Sequence, residues 1–215
     1  MSAGLEVRDL QARTGGRLIL DVGALDVPAG ELVVLSGDAG SGKSALASVL
    51  GGMLAAGGTV KVGGAAAGGT PSRRRRLGLA VAVRDAGRIT GVTVAEALAL
   101  AAGAGARAHE ALDRFPELEP RRRIFAQLLS GGEQQLLQVA CAWAATPKAL
   151  VLDAPAVGLA QRAADAVVAL ARDEAARGCA VLWLEADVRA APEPPRQRLV
   201  RGRLEAAAAS ASDPG

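Results

Sequence analysis

The stretch Glu31–Leu54, ELVVLSGDAGSGKSALASVLGGML, decides the fold. Glu31–Ser36 is a short apolar run, the pattern of a strand buried on both faces. It passes directly into Gly37-Asp38-Ala39-Gly40-Ser41-Gly42-Lys43-Ser44, and from Ala45 the pattern is helical and closes on glycine. Those eight residues match GxxxxGK[ST], a phosphate-holding loop. Its glycines let successive backbone N–H groups turn inward around a phosphate, and the following helix aims its positive end at the same point. In that reading Lys43 reaches the β- and γ-phosphates of a nucleotide, the Ser44 hydroxyl ligates Mg²⁺, and Ala45 extends the cradle. A glycine-rich loop that matches by chance is the bland alternative. The strand before it and the helix after it supply the context that a chance match lacks.

Outward from this stretch, the 215 residues alternate strands and helices, which predicts an α/β domain with a mostly parallel sheet. LEVRDLQAR and RLILDVGALDV alternate apolar and polar residues, as two antiparallel strands facing a core on one side do. GGTVKVGG, Leu77–Val83, KALVLD, CAVLWLE and Arg198–Val200 read as further strands. Residues 93–128 are alanine-rich with helical spacing, broken at Gly103, Gly105 and Pro120. Helices are expected from SGGEQQ onward and over Gln161–Arg177, and EAAAASASDPG reads as a frayed tail.

Composition excludes several classes. Half the residues are hydrophobic but 2% are aromatic, with no Tyr, two Phe, two Trp and one His, while alanine exceeds a fifth of the chain. Such a chain buries a real core and is not disordered. No apolar run reaches the roughly 18 residues of a membrane span, and MSAGLEVRDL lacks the basic-then-apolar start of a signal peptide. Cys141 and Cys179, without CxxC spacing, read as small core residues rather than a disulfide or zinc site. The net charge of +3 is too small to argue for nucleic acid, and no nucleic-acid partner is expected. The runs Arg73–Arg76 and Arg121–Arg123 read as solvated surface before phosphate or lipid contacts, and His109 as surface or satisfied core.

A second motif distinguishes among phosphate-loop proteins. Leu129-Ser130-Gly131-Gly132-Glu133-Gln134-Gln135 opens a helix, and Leu150–Pro155, LVLDAP, ends the strand that follows. With these motifs the chain, from LEVRDL to VRGRL, resembles the nucleotide-binding domain of ATP-binding cassette (ABC) proteins. LSGGEQQ resembles their signature and Leu150–Asp153 their Walker B strand. LSGGEQQ followed by LL, VGLA, GVTVAEALALA and LEADVRAA are similar to the ATP-binding subunits of branched-chain amino-acid importers. The resemblance implies a single domain over 1–205, with a P-loop core, an N-terminal antiparallel β element and a small helical subdomain inserted at about 88–136. A flexible tail at 206–215 completes the expected organisation.

The resemblance also implies roles. ATP and Mg²⁺ are the expected ligands, with Ser44 and Asp153 on the metal. Ser130, Gly131, Gly132 and Glu133 are expected to face the γ-phosphate held by a second nucleotide-binding subunit, so that two chains sandwich two nucleotides. Ser130 and Glu133 also spell a helix capping box, and both roles are compatible. Transmembrane permease subunits are the expected larger partners, with the chain on the cytoplasmic face of the membrane.

Four positions depart from the family pattern. The catalytic glutamate after Asp153 is Ala154, and no neighbour in LVLDAPAVGLA supplies another acid. Losing a positioned base costs about 10²- to 10⁴-fold. In LAVAVRDAG, where relatives carry Gln or Glu, stands Arg84, whose guanidinium has no lone pair for a metal or water but pairs well with phosphate. The switch position in LEADV is Ala186. The aromatic that stacks on adenine is replaced by Thr14, with Arg13 expected to stack in compensation. No catalytic residue is therefore assigned. The expectation is a chain that binds ATP, cleaves it poorly or not at all, and pairs with a competent partner. An active homodimeric ATPase, a soluble non-transport ABC protein and an inactive gene product remain the competing readings.

Overall fold

A computed structural model of the protein describes residues 4–84, 87–103 and 105–206. In chain order the elements are β1 (Leu5–Thr14), β2 (Arg17–Val27), β3 (Leu32–Ser36), α1 (Lys43–Leu50), β4 (Gly57–Val62), β5 (Ala65–Ala66) and α2 (Pro71–Arg76). Then follow β6 (Leu79–Ala82), α3 (Val94–Ala102), α4 (Arg107–Arg114), α5 (Gly131–Ala144), β7 (Ala149–Asp153), α6 (Gln161–Ala176), β8 (Ala180–Glu185), β9 (Gln197–Val200) and β10 (Arg203–Ala206).

Two sheets form. The first is antiparallel, in the order β2-β1-β4-β5; the second has the order β10-β9-β3-β8-β7-β6. Strands β9, β3, β8, β7 and β6 run parallel, and β10 pairs antiparallel to β9. The central strands are apolar on both faces because both are covered. Val33 and Leu35 point into a core shared with Leu46 and Leu50 of α1 and with Leu5, Val7 and Val22 of the first sheet. Val34, Leu152 and Trp183 point the other way, against α3, α5 and α6. Helix α1 is thus clamped between the two sheets. The parallel strands β3, β7 and β8 end side by side at Ser36, Asp153 and Glu185, the edge at which open α/β sheets place ligands.

The expected alanine-rich helical stretch resolves into α3, α4 and two short 3₁₀ turns at Glu119–Arg121 and Ala126–Leu128. Thr93 and Glu96 form a full capping box at the start of α3. Helix α5 contacts α3 and α4 as well as β6 and β7, so position 136 lies inside a continuous helix. On the far side, the carboxylate of buried Glu174 in α6 accepts from both Nη atoms of Arg107 at 3.1 Å and from Trp143 Nε1 at 2.9 Å. Arg107 also lies over the Trp143 ring, 4.7 Å from its centroid. This cluster ties α4 to α5 and α6.

Two readings of the sequence need correction. In the first arginine run Arg73, Arg75 and Arg76 are exposed, as a solvated surface run is, but Pro71 at N1 starts α2 and Arg74 is buried. Arg74 donates to the carbonyls of Val49 and Leu50, and Arg75 to those of Leu100 and Ala101. Each closes the C-terminal end of a helix, where carbonyls lack intrahelical partners. Glu205 and Ala206 belong to β10 rather than to the tail, and residues 207–215 lie outside the described residues. Asp85 and Ala86 of LAVAVRDAG also lie outside them. Cys179 is buried and Cys141 partly so, and burial pushes both thiols up to about 12. His109 is exposed on α4.

Candidate nucleotide site

The loop between β3 and α1 curls around the head of its own lysine. Gly42 caps α1 in the left-handed region, at φ 109°, a conformation that only glycine adopts cheaply. Lys43 Nζ donates to Gly37 O at 2.5 Å, Asp38 O at 2.9 Å and Ser41 Oγ at 3.3 Å. Burial pulls this ammonium below the ordinary lysine range, and the charges of Asp153, Glu185 and Asp38 partly offset that. Asp38 itself accepts from Arg198 Nη2 through both carboxylate oxygens, at 2.8 and 2.7 Å.

Asp153 ends β7, 1% exposed. Burial raises its carboxyl above the ordinary range; the Ser44 hydroxyl, the Lys43 charge and the Arg84 backbone N–H act in the opposite direction. Among the described residues its Oδ2 has no hydrogen-bond partner. A buried carboxylate oxygen left unpaired beside a serine hydroxyl is a donor set suited to a hard cation, so the residues fit Mg²⁺. No group of three or more His, Cys, Asp or Glu among the described residues offers another metal site.

A cleft of about 730 Å³ gathers Ala39, Gly40, Gly42, Lys43, Ser44 and Ala45 from the loop and α1. Asp153, Ala154, Ala186 and Arg84 line it from the ends of β6, β7 and β8. Both alanines that the sequence places at hydrolytic positions therefore face the same space as Lys43. The Ala154 N–H donates to Leu184 O at 2.9 Å, with the residue at φ 44°. The nearby Glu185 is buried and does not line the cleft. Its carboxylate accepts from Trp183 Nε1 at 3.3 Å and from the N–H groups of Ala186 and Asp187 at 2.8 and 3.3 Å. Those bonds hold the turn after β8.

Arg13 is not in this cleft. Its Nη1 donates to Gly16 O at 3.1 Å within its own hairpin. The wall on that side is Arg17, Leu18 and Ile19, with Arg201 from the turn after β9. These four were missed in the sequence because no motif marks them; they meet the loop only through the packing of two sheets.

Ser130 to Glu133 open α5 with both halves of a capping box: Glu133 N–H to Ser130 Oγ at 3.3 Å, and Ser130 N–H to Glu133 Oε2 at 2.9 Å. Arg121 Nε donates to Glu133 Oε1 at 2.8 Å. That bond, and next the Ser130 N–H, hold the Glu133 carboxyl below the ordinary range. Gly132 packs closely: a Cβ there would lie 2.8 Å from Gly158 O. Ser130 and Gly131 are exposed and do not line the chain's own cleft.

Residues 20–157, more than half of the chain, match the family model for ABC transporters. The chain belongs to the ABC transporter family. It is 35% identical over 145 residues to the high-affinity branched-chain amino acid transport ATP-binding protein BraG of Pseudomonas aeruginosa, covering 64% of this chain and 62% of that protein. It is 33% identical over 165 residues to the sulfate/thiosulfate import ATP-binding protein CysA of Burkholderia mallei, covering 71% of this chain and 46% of that protein. The chain thus spans about half to three-fifths of the length of these relatives. A solved ATP-binding subunit of an ABC transporter superposes with a TM-score of 0.79 at 26% identity, covering 94% of this chain and 90% of that one. The ABC fold is therefore shared over most of the chain. No helix among the described residues is long and apolar enough to cross a membrane.

Proposed function

We propose that this ABC cassette holds Mg-ATP in its cleft, hydrolyses it weakly or not at all, and lends its signature to the nucleotide of a second subunit. The observation that carries the reading is one cavity with two chemically different walls. Lys43, Ser44 and Asp153 keep the groups that grip a triphosphate, while Ala154 and Ala186 present methyl groups at the hydrolytic positions.

The chain's own residues then act as follows. Backbone N–H groups from Gly40 to Ala45 and the N-terminus of α1 cradle the β-phosphate. Lys43 gives up its loop carbonyls for phosphate oxygens, a charge-assisted exchange. Ser44 and Asp153 would hold Mg²⁺, which would supply countercharge to the phosphate oxygens. Arg84 adds a cation at the cleft wall and offers no acceptor to a water molecule. A methyl group at 154 takes no proton, so the attacking water has no base in this half-site.

Ser130, with the N–H groups of Gly131 and Gly132, forms a second anion site on an exposed helix start, suited to a phosphate from outside the chain. We assign that phosphate to a catalytically competent nucleotide-binding partner in a heterodimer. The assembly would sit against permease subunits on the cytoplasmic face of a membrane. The likeness to BraG, at 35% identity over 62% of that protein, favours an amino-acid-type importer over the sulfate/thiosulfate type that CysA represents at 33% over 46%. The test is ATP binding and steady-state turnover by the purified chain, with Lys43→Ala as control. Binding without turnover is expected; turnover at ordinary rates that Lys43→Ala removes would point to an active homodimer.

A further inference from the structure

The phosphate loop carries an acid of its own. Asp38 is the second residue of the loop, and its charge is felt at the Lys43 ammonium together with those of Asp153 and Glu185. A polyphosphate gripped by Lys43 meets the same three carboxylates, and like charges repel. Two of them are answered within the site already described. Asp153 has the donor set for Mg²⁺, and Glu185 is held by Trp183 Nε1 and two backbone N–H groups. Asp38 is answered by Arg198, whose Nη2 reaches both carboxylate oxygens, at 2.8 and 2.7 Å.

Sheet register brings Arg198 there. Strand β9 runs parallel to β3 with Arg198 opposite Ser36, the last residue of β3, so the chain begins the loop beside this arginine. The junction is close on both sides of Asp38. A Cβ on Gly37 would lie 2.5 Å from Leu199 O, and the Gly202 N–H donates to Ser41 O at 2.8 Å. Backbone contacts therefore fix the loop to the β9–β10 hairpin without help from the ion pair. The side chains of Arg198 and Asp38 are 47% and 79% exposed, and pairs so exposed add little to stability. Asp38 lines a hollow on the β9 side of the loop together with Leu199 and Val200, and neither it nor Arg198 lines the nucleotide cleft. What the pair can change is the electrostatic field behind the loop.

We propose that Arg198 is a positioning residue for nucleotide binding: it holds the Asp38 carboxylate on the β9 side of the loop and cancels its charge, so that a polyphosphate enters without repulsion from the loop's own acid. The inference rests on the nucleotide-holding reading above. It makes Arg198 a partner of Asp38 and not a phosphate ligand, and it makes charge the property that matters.

The experiment is calorimetric binding of ATP and inorganic tripolyphosphate to the full chain in wild type, Arg198→Ala, Arg198→Lys, Asp38→Asn and the double variant Asp38→Asn/Arg198→Ala, with thermal midpoints as the check on folding. At about 50 mM salt Arg198→Ala should weaken both ligands about three- to tenfold with little change in midpoint. Arg198→Lys, which keeps the charge, should stay within about twofold of wild type. Asp38→Asn should tighten both ligands about two- to fivefold, and the double variant should recover to within about twofold of wild type. At about 1 M salt the loss in Arg198→Ala should shrink below about twofold, because ions screen a field but not a contact. Unchanged affinity in Arg198→Ala at low salt would overturn the proposal. A double variant as weak as Arg198→Ala would make Arg198 a phosphate ligand and overturn it as well. So would Arg198→Lys as weak as Arg198→Ala, which would make the guanidinium geometry a structural tie, or a loss that persists undiminished at high salt. Each of these leaves the nucleotide reading standing; failure of wild type to bind either ligand would overturn both.

Discussion

The two walls of the cleft share a scaffold and differ in side chains. Lys43 of the loop and the orphaned Oδ2 of Asp153 at the end of β7 are polar groups kept in low-dielectric surroundings, where an unpaired group is costly. Beside Asp153 at the strand ends, Ala154 and Ala186 have nothing to offer water. Yet the backbone there is as firmly held: the Ala154 N–H still bonds Leu184 O across strands, and Glu185 still clamps the Ala186 turn. A strand end is fixed by ladder bonds and core packing, which do not depend on the side chain it displays. Binding and cleavage can therefore be separated in one cavity without disturbing the fold.

Restoring the missing acid is the strongest way to test this contrast. Ala154→Glu should raise single-turnover cleavage of bound ATP about 10²- to 10⁴-fold over wild type if the wall is merely bare. Unchanged cleavage would mean that Arg84 and Ala186 disable the wall independently. On the other wall, Lys43→Ala should weaken ATP about 10- to 100-fold, from the loss of charge-assisted phosphate bonds, with the thermal midpoint little changed. Equilibrium dialysis with labelled ATP measures it.

A smaller effect separates the cleft from the signature. Ser130→Ala removes the cap of α5 and should cost about 1 kcal/mol of stability while leaving ATP affinity in the chain's own cleft unchanged. The same helix start predicts an acid limb. Glu133 is held below its ordinary value of 4.5 by Arg121 and the Ser130 N–H, so its contribution is complete above that value. It is lost as pH falls through the lower folded-state value. Glu133→Gln should flatten that part of the stability profile in acid unfolding. Smallest of all, Arg13→Ala should change ATP affinity by less than about twofold, because Arg13 bonds its own hairpin turn rather than the cleft.

What was readable in the sequence follows from where the signal lies. The phosphate loop and Asp153 are legible because each motif sits at the junction of a strand and the next segment, and Ala154 and Ala186 stand out through the resemblance to the ABC motifs. Arg74 was not, since a run of four arginines carries no sign of which one a neighbouring helix end will bury. Arg17 and Arg201 were invisible for a related reason. They lie far apart in the chain, and only the stacking of an antiparallel sheet against a parallel one brings them to one wall. The β10 pairing was hidden in alanine-rich sequence that reads as tail.

The measurement that tests the central claim most directly is the fate of bound nucleotide. Purified chain is loaded with labelled ATP and Mg²⁺, freed of excess, and quenched over hours to determine how much label remains ATP. The account predicts that nearly all of it stays ATP in wild type and is converted to ADP in Ala154→Glu. Rapid conversion in wild type, abolished by Lys43→Ala, would contradict it.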